Sequence, residues 1–194
     1  MTFPAAVAVD SPERIARWRP LVHWLLAIPH LFVFELLQGV AWLLNLISWF
    51  AIVFTGRMPE GLANFQCMYL RYSMRLYADV DFLHERYPPF SFDMTAGEPG
   101  GTPVAADFEP RLTDRNRLTV GFRLILAIPA AVFALIVWMI SVLLVVLAFF
   151  AVLFTGRWPN GMRQWVVSSY GVNLRMNAYL HLLTDEYPPF SLEA

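Results

Sequence analysis

FTGRMPEG, residues 54–61, returns as FTGRWPNG at residues 154–161. The offset of 100 positions holds without a gap on both sides of these strings. LAIP at Leu26–Pro29 matches LAIP at Leu126–Pro129, and Phe50 and Ala51 match Phe150 and Ala151. Arg75 matches Arg175, Ala78 matches Ala178, and YPPFS at Tyr87–Ser91 returns at Tyr187–Ser191. A register kept over this length marks a tandem duplication. The chain therefore divides into an N-terminal basic flank (1–20), a first repeat (21–92), a linker (93–113) and a second repeat (114–194).

Each FTGR string closes a long apolar tract. The first, Leu21–Phe54, is interrupted only by Glu35 and a few neutral polar residues; the second, Leu124–Phe154, carries no charge. The whole chain is 58% hydrophobic and 15% charged, against roughly half and a quarter for a soluble domain. About 20 apolar residues cross a hydrocarbon core roughly 30 Å thick, and both tracts exceed that. A chain of 194 residues has too little left to enclose two such helices in a soluble core. An all-α integral membrane protein of two tandem repeats is expected, and the lipid bilayer is its first partner.

Other classes lose ground on composition. A net charge of −1 gives no electrostatic reason to bind nucleic acid. All basic residues are arginine, and Cys67 is the sole cysteine, so no intrachain disulfide forms. Asp10, Glu13, Arg14, Arg17 and Arg19 leave no room for a cleavable signal peptide in the first twenty residues. The first tract is expected to direct insertion itself.

Within each repeat, Pro29 or Pro129 suits a first helical turn, where a missing N–H costs little. A helix from Pro29 to Phe54 is about 39 Å long, enough to span with some tilt. Gly56 offers the left-handed conformation that ends helices, and Pro59 blocks continuation. Arg57 and Arg157 then lie at headgroup level, as candidates for lipid phosphate or a partner. The next segment places Leu62, Phe65, Tyr69, Tyr72, Leu76, Val80 and Leu83 on one face, with Arg71, Arg75 and Asp79 on another, Arg75 within reach of Asp79. Met162, Trp165, Val172, Met176 and Leu183 repeat the pattern. An amphipathic helix in the membrane interface fits both copies; in the less polar second copy a short crossing with Arg175 buried is the alternative. YPPFS ends the unit in an extended path, and Tyr87, Phe90, Tyr187 and Phe190 read as interface anchors. The Gly-, Pro- and acid-rich 93–113 reads as a flexible linker, and its GEPGG is not a phosphate loop.

Topology is left with two solutions. A single crossing per tract inverts the repeats and splits the arginines nearly evenly, a poor positive-inside signal. A re-entrant hairpin in each tract puts every arginine on one face, but it needs a mid-tract turn that only Gly39 offers. Single spans are favoured.

Glu35 is the intramembrane polar candidate, since carboxylates in hydrocarbon are costly and often functional. His30, Gln38 and Asn45 are its possible neighbours, although its counterpart Leu135 removes any symmetric site. His23, His30, His84 and His181 lack ligand spacing, and His181 and Asp185 suit a surface pair; no metal or other cofactor is expected. No nucleophile elbow, P-loop or dinucleotide fingerprint occurs, so no catalytic residue is assigned. Arg75 and Arg175 are the polar residues retained in both second helices, suited either to clamping a phosphate or to pinning their helix.

LAIP, FTGRxPxG, an arginine on the following helix and TDEYPPFS together resemble a bacterial, often actinobacterial, membrane-protein family known as a domain of unknown function (4389), here in two tandem copies. The resemblance implies a repeated module in the bacterial inner membrane. It supplies no activity, substrate or site residue. The expected function is that of a non-catalytic scaffold or accessory subunit, associating with itself or other membrane subunits because two helices make little core. A lipid-binding or membrane-shaping protein is the alternative, and a small inverted-repeat transporter is less favoured for want of a broken mid-membrane helix.

Overall fold

A computed structural model describes residues 3–192; residues 1–2 and 193–194, the outermost parts of the flank and the second repeat, lie outside the described residues. Each repeat is a helical hairpin. In the first, α1 (Arg19–Thr55) turns at residues 56–59 into α2 (Glu60–Val80). In the second, α3 (Arg117–Gly121), α4 (Arg123–Leu126) and α5 (Ile128–Thr155) follow the course of α1, and α6 (Asn160–Leu180) returns. Two apolar helices, α1 and α5, are long and apolar enough to cross a membrane.

The repeated FTGR string builds the same turn twice. Gly56 at φ 71° and Gly156 at φ 69° adopt the left-handed cap, which glycine takes without steric cost. Their N–H groups donate to Ile52 O and Val152 O at 2.7 Å. Thr55 and Thr155 each donate through Oγ1 to the carbonyl one turn back, at 2.6 Å, and accept from the Arg57 or Arg157 N–H at 3.2 Å.

Pro129 sits in the first turn of α5, as its counterpart was expected to do in α1, but Pro29 lies inside α1. The helix instead starts ten residues earlier, where Pro20 occupies the first turn. Interior proline removes one ladder bond, and the flanking turns are held from outside. His23 Nδ1 lies 2.5 Å from Asp79 O, His30 Nδ1 2.7 Å from the Tyr72 hydroxyl, and the Tyr87 hydroxyl donates to Leu26 O at 3.3 Å. In the second repeat the same region is interrupted at Phe122 and Ala127. No hairpin forms at Gly39, which α1 passes without a break.

The second helices depart most from expectation. They are not surface helices: α2 is buried from Gln66 to Leu76, and most of α6 beyond Val166 is buried or half-buried. On one side each meets its own apolar helix. Gln66 Nε2 donates to Ala41 O at 2.8 Å, and Ala130, Ala134 and Val137 meet Val172, Met176 and Tyr179. On the other side lies a ribbon made by the segments read as flank and flexible linker. β1 (Ala5–Val9) pairs antiparallel with β2 (Val104–Phe108), Val7 opposite Ala106. Val104, Ala106 and Phe108 are buried while Asp107 is exposed, the period-2 alternation of a half-buried strand.

α1 and α5 run antiparallel. Pro20 and Trp24 share a crevice with Val145, Val146, Phe149 and Phe150 near one end. Near the other, Trp49 Nε1 donates to Val120 O at 3.0 Å and Asn45 Nδ2 to Leu180 O at 3.1 Å. The molecule is thus layered: α1 and α5, then α2 and α6, then the ribbon. A narrow stripe of α1 (His23, Ala27, His30, Phe34, Ala41, Ser48, Ile52) faces inward; the rest of that helix is largely exposed and apolar.

Candidate functional site

The basic flank of each repeat meets the FTGR turn of the other. Ile15 N–H donates to Gly156 O at 3.2 Å and Trp158 N–H to Glu13 O at 3.0 Å, while the backbones of Arg14 and Arg157 pair as an isolated antiparallel β-bridge. At the opposite end, Arg115 N–H donates to Gly56 O at 3.2 Å and Met58 N–H to Leu112 O at 2.8 Å. Arg14, Arg17 and Arg157 therefore gather at one end of the apolar layer, and Arg57 and Arg117 at the other. All five are exposed. Among the described residues their side chains form no hydrogen bond or ion pair. Each cluster lies beside the C-terminus of α1 or α5, whose partial negative charge it complements, and each leaves guanidinium groups free for phosphate oxygens.

Arg75 and Arg175 sit elsewhere. Both are 3% exposed, and both hold the end of the YPPFS strap of their own unit. Arg75 Nη1 donates to Ser91 Oγ at 3.2 Å, and Arg175 Nη2 donates to Ser191 O at 2.6 Å. Arg75 also pairs with Glu98 at 2.5 Å rather than with Asp79. Arg71 spends its donors on the linker, reaching Ala96 O at 2.8 Å, Gly97 O at 3.0 Å and Ala106 O at 3.2 Å. The other end of each strap is tied by an acid: the Ala16 N–H donates to Glu85 Oε1 at 2.6 Å, and the Asn116 N–H to Asp185 Oδ2 at 3.0 Å. The retained arginine and the retained YPPFS string thus explain each other.

Asp185 is not a surface partner of His181. It accepts from Arg115 Nη2 at 2.8 Å and Arg123 Nη2 at 2.6 Å. Burial pushes its carboxyl up, but the hydrogen bonds of Arg115 and Asn116 and the charges of Arg115 and Arg123 outweigh this and hold it below the usual range. His181 is buried, with Nδ1 2.8 Å from Gln66 Oε1.

Glu35 lies exposed on the outer face of α1. Its expected neighbours turn inward instead, His30 to Tyr72, Gln38 Nε2 to the Tyr69 hydroxyl at 3.4 Å, and Asn45 to Leu180. Tyr87, Phe90, Tyr187 and Phe190 are exposed beside the apolar helices: Phe90 stacks on His30 at 3.9 Å, and Phe190 meets Phe133 edge-on at 5.5 Å.

Sequence reasoning did not find the cross-repeat clusters or the Asp185 hub. The signal for the first lay in an arginine flank preceding both tracts. Residues 17–91 and 117–191 each match a protein family described as Domain of unknown function (DUF4389). No curated protein and no solved structure matches the chain.

Proposed function

The chain belongs to the DUF4389 family, and from that premise we propose that it is a non-catalytic membrane protein whose two apolar helices lie flat in one leaflet, binding and shaping lipid. The observation that carries this reading is the position of the ribbon. It crosses α2 at Arg71, beside Tyr69 and Tyr72, which face Phe34 and His30 near the middle of α1. A bilayer perpendicular to the helices and centred on the molecule would enclose exposed Asp93, Thr95, Gly97 and Asp107 with their loop backbone. Lipid-exposed irregular backbone is not tolerated in hydrocarbon. Shifting the bilayer toward either end encloses the other repeat's arginine flank instead, because the helices are antiparallel.

Laying the layer flat removes the conflict. The exposed apolar residues of α1 and α5 face acyl chains, with Glu35 the single acid among them, and the ribbon faces water. No arginine lies within residues 20–55 or 128–155, so every arginine joins the ribbon side or the rim, as the positive-inside rule asks of a cytoplasmic face. The arginine clusters then mark two headgroup contacts at opposite ends of one wedge. The bacterial character implied by the sequence motifs supports the inner membrane as its place.

An accessory role in a larger assembly is the weaker reading. It needs a chain with little core of its own, whereas α2, α6 and the ribbon supply a buried core. Single cysteines at Arg57, Arg157 and Gly100, in a Cys67→Ala background, test the orientation in proteoliposomes of phosphatidylcholine and phosphatidylglycerol. Flat helices expose all three to an impermeant maleimide on one side. Labelling of R57C and R157C from opposite sides would overturn it. Conversion of such liposomes to tubules supports shaping; unchanged vesicles at saturating protein would restrict the function to lipid binding.

A further inference from the structure

The two halves of the lipid-facing side, where α1 and α5 rest on α2 and α6, are not equivalent. In the first repeat Phe34 fills its half, stacked on Tyr69 at 5.7 Å and edge-on to Tyr77 at 5.6 Å. The counterparts in the second repeat are Ala134, Ser169 and Asn177, all smaller. A cavity of about 600 Å³ opens there, walled by α5 and floored by α2 and α6. That volume suits a small organic ligand. Its mouth is on the apolar face: Trp138 is 52% and Tyr77 41% exposed.

The cavity is mostly apolar, and most of its polar groups gather on the floor. Asp81 accepts from the Tyr170 hydroxyl at 2.6 Å, and among the described residues no arginine or histidine pairs with it. Asn173 and Asn177 donate their side-chain N–H groups to carbonyls one turn back, at 3.0 and 2.8 Å. Ser169 donates to Val166 O at 2.6 Å. These bonds leave the Asn173 and Asn177 side-chain oxygens and the Ser169 hydroxyl oxygen able to accept, beside the Asp81 carboxylate. An unpaired carboxylate among acceptors wants a cation with several N–H donors, and an ammonium group carries three.

We infer that this cavity binds a single-chain amphiphile with a primary ammonium head, the head on Asp81 and the chain leaving past Trp138 into the leaflet. The inference rests on the flat orientation for its route of entry. Burial, opposed by the Tyr170 hydrogen bond, pushes Asp81 up to about 6. At neutral pH the carboxylate therefore stays largely charged without a counter-ion, a cost that a cationic guest removes.

The test uses the full chain in phosphatidylcholine vesicles, with ω-bromododecylamine as probe and its alcohol and carboxylate analogues as controls; bromine quenches tryptophan. Saturable quenching by the amine is expected, weakened about tenfold or more in Asp81→Asn through loss of the charged hydrogen bond. Ala134→Phe should abolish it by restoring the first repeat's filling. Asp81 is half-buried and asparagine keeps an acceptor for the Tyr170 hydroxyl, so D81N is expected to fold, and circular dichroism checks both variants. Quenching unchanged in D81N and A134F, or equal for the three probes, overturns the site even when cysteine labelling places all turns on one side. Variant-sensitive amine quenching upholds the site even when labelling contradicts the flat orientation.

Discussion

The Arg117 guanidinium covers Gly56: its Nε sits 3.1 Å from where a Cβ on Gly56 would be, although the two residues belong to different repeats. The second copy repeats the relation less tightly, Arg17 Cγ lying 3.4 Å from the same point on Gly156. Each helix-ending turn is thus closed by the flank of the other unit. The duplication is interlocked rather than strung in series, which ties the packing of one hairpin to the presence of the other.

Gly56→Ala and Gly156→Ala are expected to destabilise unequally. Both force a side chain into a left-handed backbone, which costs about 1 kcal/mol. G56A must also displace Arg117, so it should lose more, about 2 kcal/mol in all, while G156A meets ordinary contact. Thermal unfolding in mild detergent reads the difference. Gly39 has negative φ and nothing within 4 Å of an added Cβ, so G39A should be neutral or stabilising by up to about 1 kcal/mol. A collapse of G39A would reinstate a mid-tract turn.

Asp185→Asn should be among the most damaging single changes. It leaves the Arg115 and Arg123 side chains, 0% and 2% exposed, without their anion, and breaking a buried pair on one side costs about 3–5 kcal/mol. Because the folded carboxyl is held below its ordinary value, its contribution is complete above the unfolded pKa, near about 4. It is lost as pH falls through the folded value. Unfolding midpoints of parent and D185N should therefore converge in strong acid; a gap that persists there would assign the loss to packing.

Much of the fold could be read from residues. The duplication, the two apolar helices and the turn at Gly56 follow from local rules, because a helix stop needs only glycine, threonine and a following proline. The second helices could not be placed that way. Arg71 and Arg75 look like a solvated face until the carbonyls of residues 95–97 and Glu98 arrive from the linker to satisfy them. VAADF, residues 104–108, alternates as a strand does, but the glycines and prolines around it dominate composition, and its partner lies a hundred residues away. The exposed Arg57 and Arg157 were legible as candidates; the flank that completes each cluster was not, since only the antiparallel packing of α1 and α5 brings it there.

Stability should respond to pH through His181. Burial pushes its imidazole down to about 4, well under the ordinary value of about 6.5. Between these values the unfolded chain binds the proton and the folded chain does not. Stability therefore falls as pH drops from about 6.5 toward 4, by on the order of 3 kcal/mol. His84, held near 4 by burial and the neighbouring His23, acts in the same sense, while Asp79 and Asp81, pushed up to about 6 by burial, oppose it. The comparison must then be between variants. His181→Gln, which keeps a partner for Gln66, should show a shallower loss than the parent over that interval. Parallel midpoint curves would remove His181 from the account.

The two classes of retained arginine should separate cleanly in a lipid assay. Arg57→Gln and Arg157→Gln remove exposed guanidinium groups at opposite ends of the apolar layer, each expected to weaken attachment to anionic over neutral vesicles by about 1 kcal/mol at low salt. The double variant should lose about twice that, because the clusters are far apart and independent, and added salt should shrink all these differences. Arg75→Gln does the reverse. It leaves Glu98 with Arg71 as its one remaining guanidinium partner, removes the donor to Ser91 and unties the YPPFS strap, so unfolding should move down while the anionic preference of the folded protein stays. Flotation on vesicles with and without phosphatidylglycerol, paired with thermal unfolding, measures both. If R75Q lost anionic preference without losing stability, the buried arginine, not the rim, would be the phosphate contact.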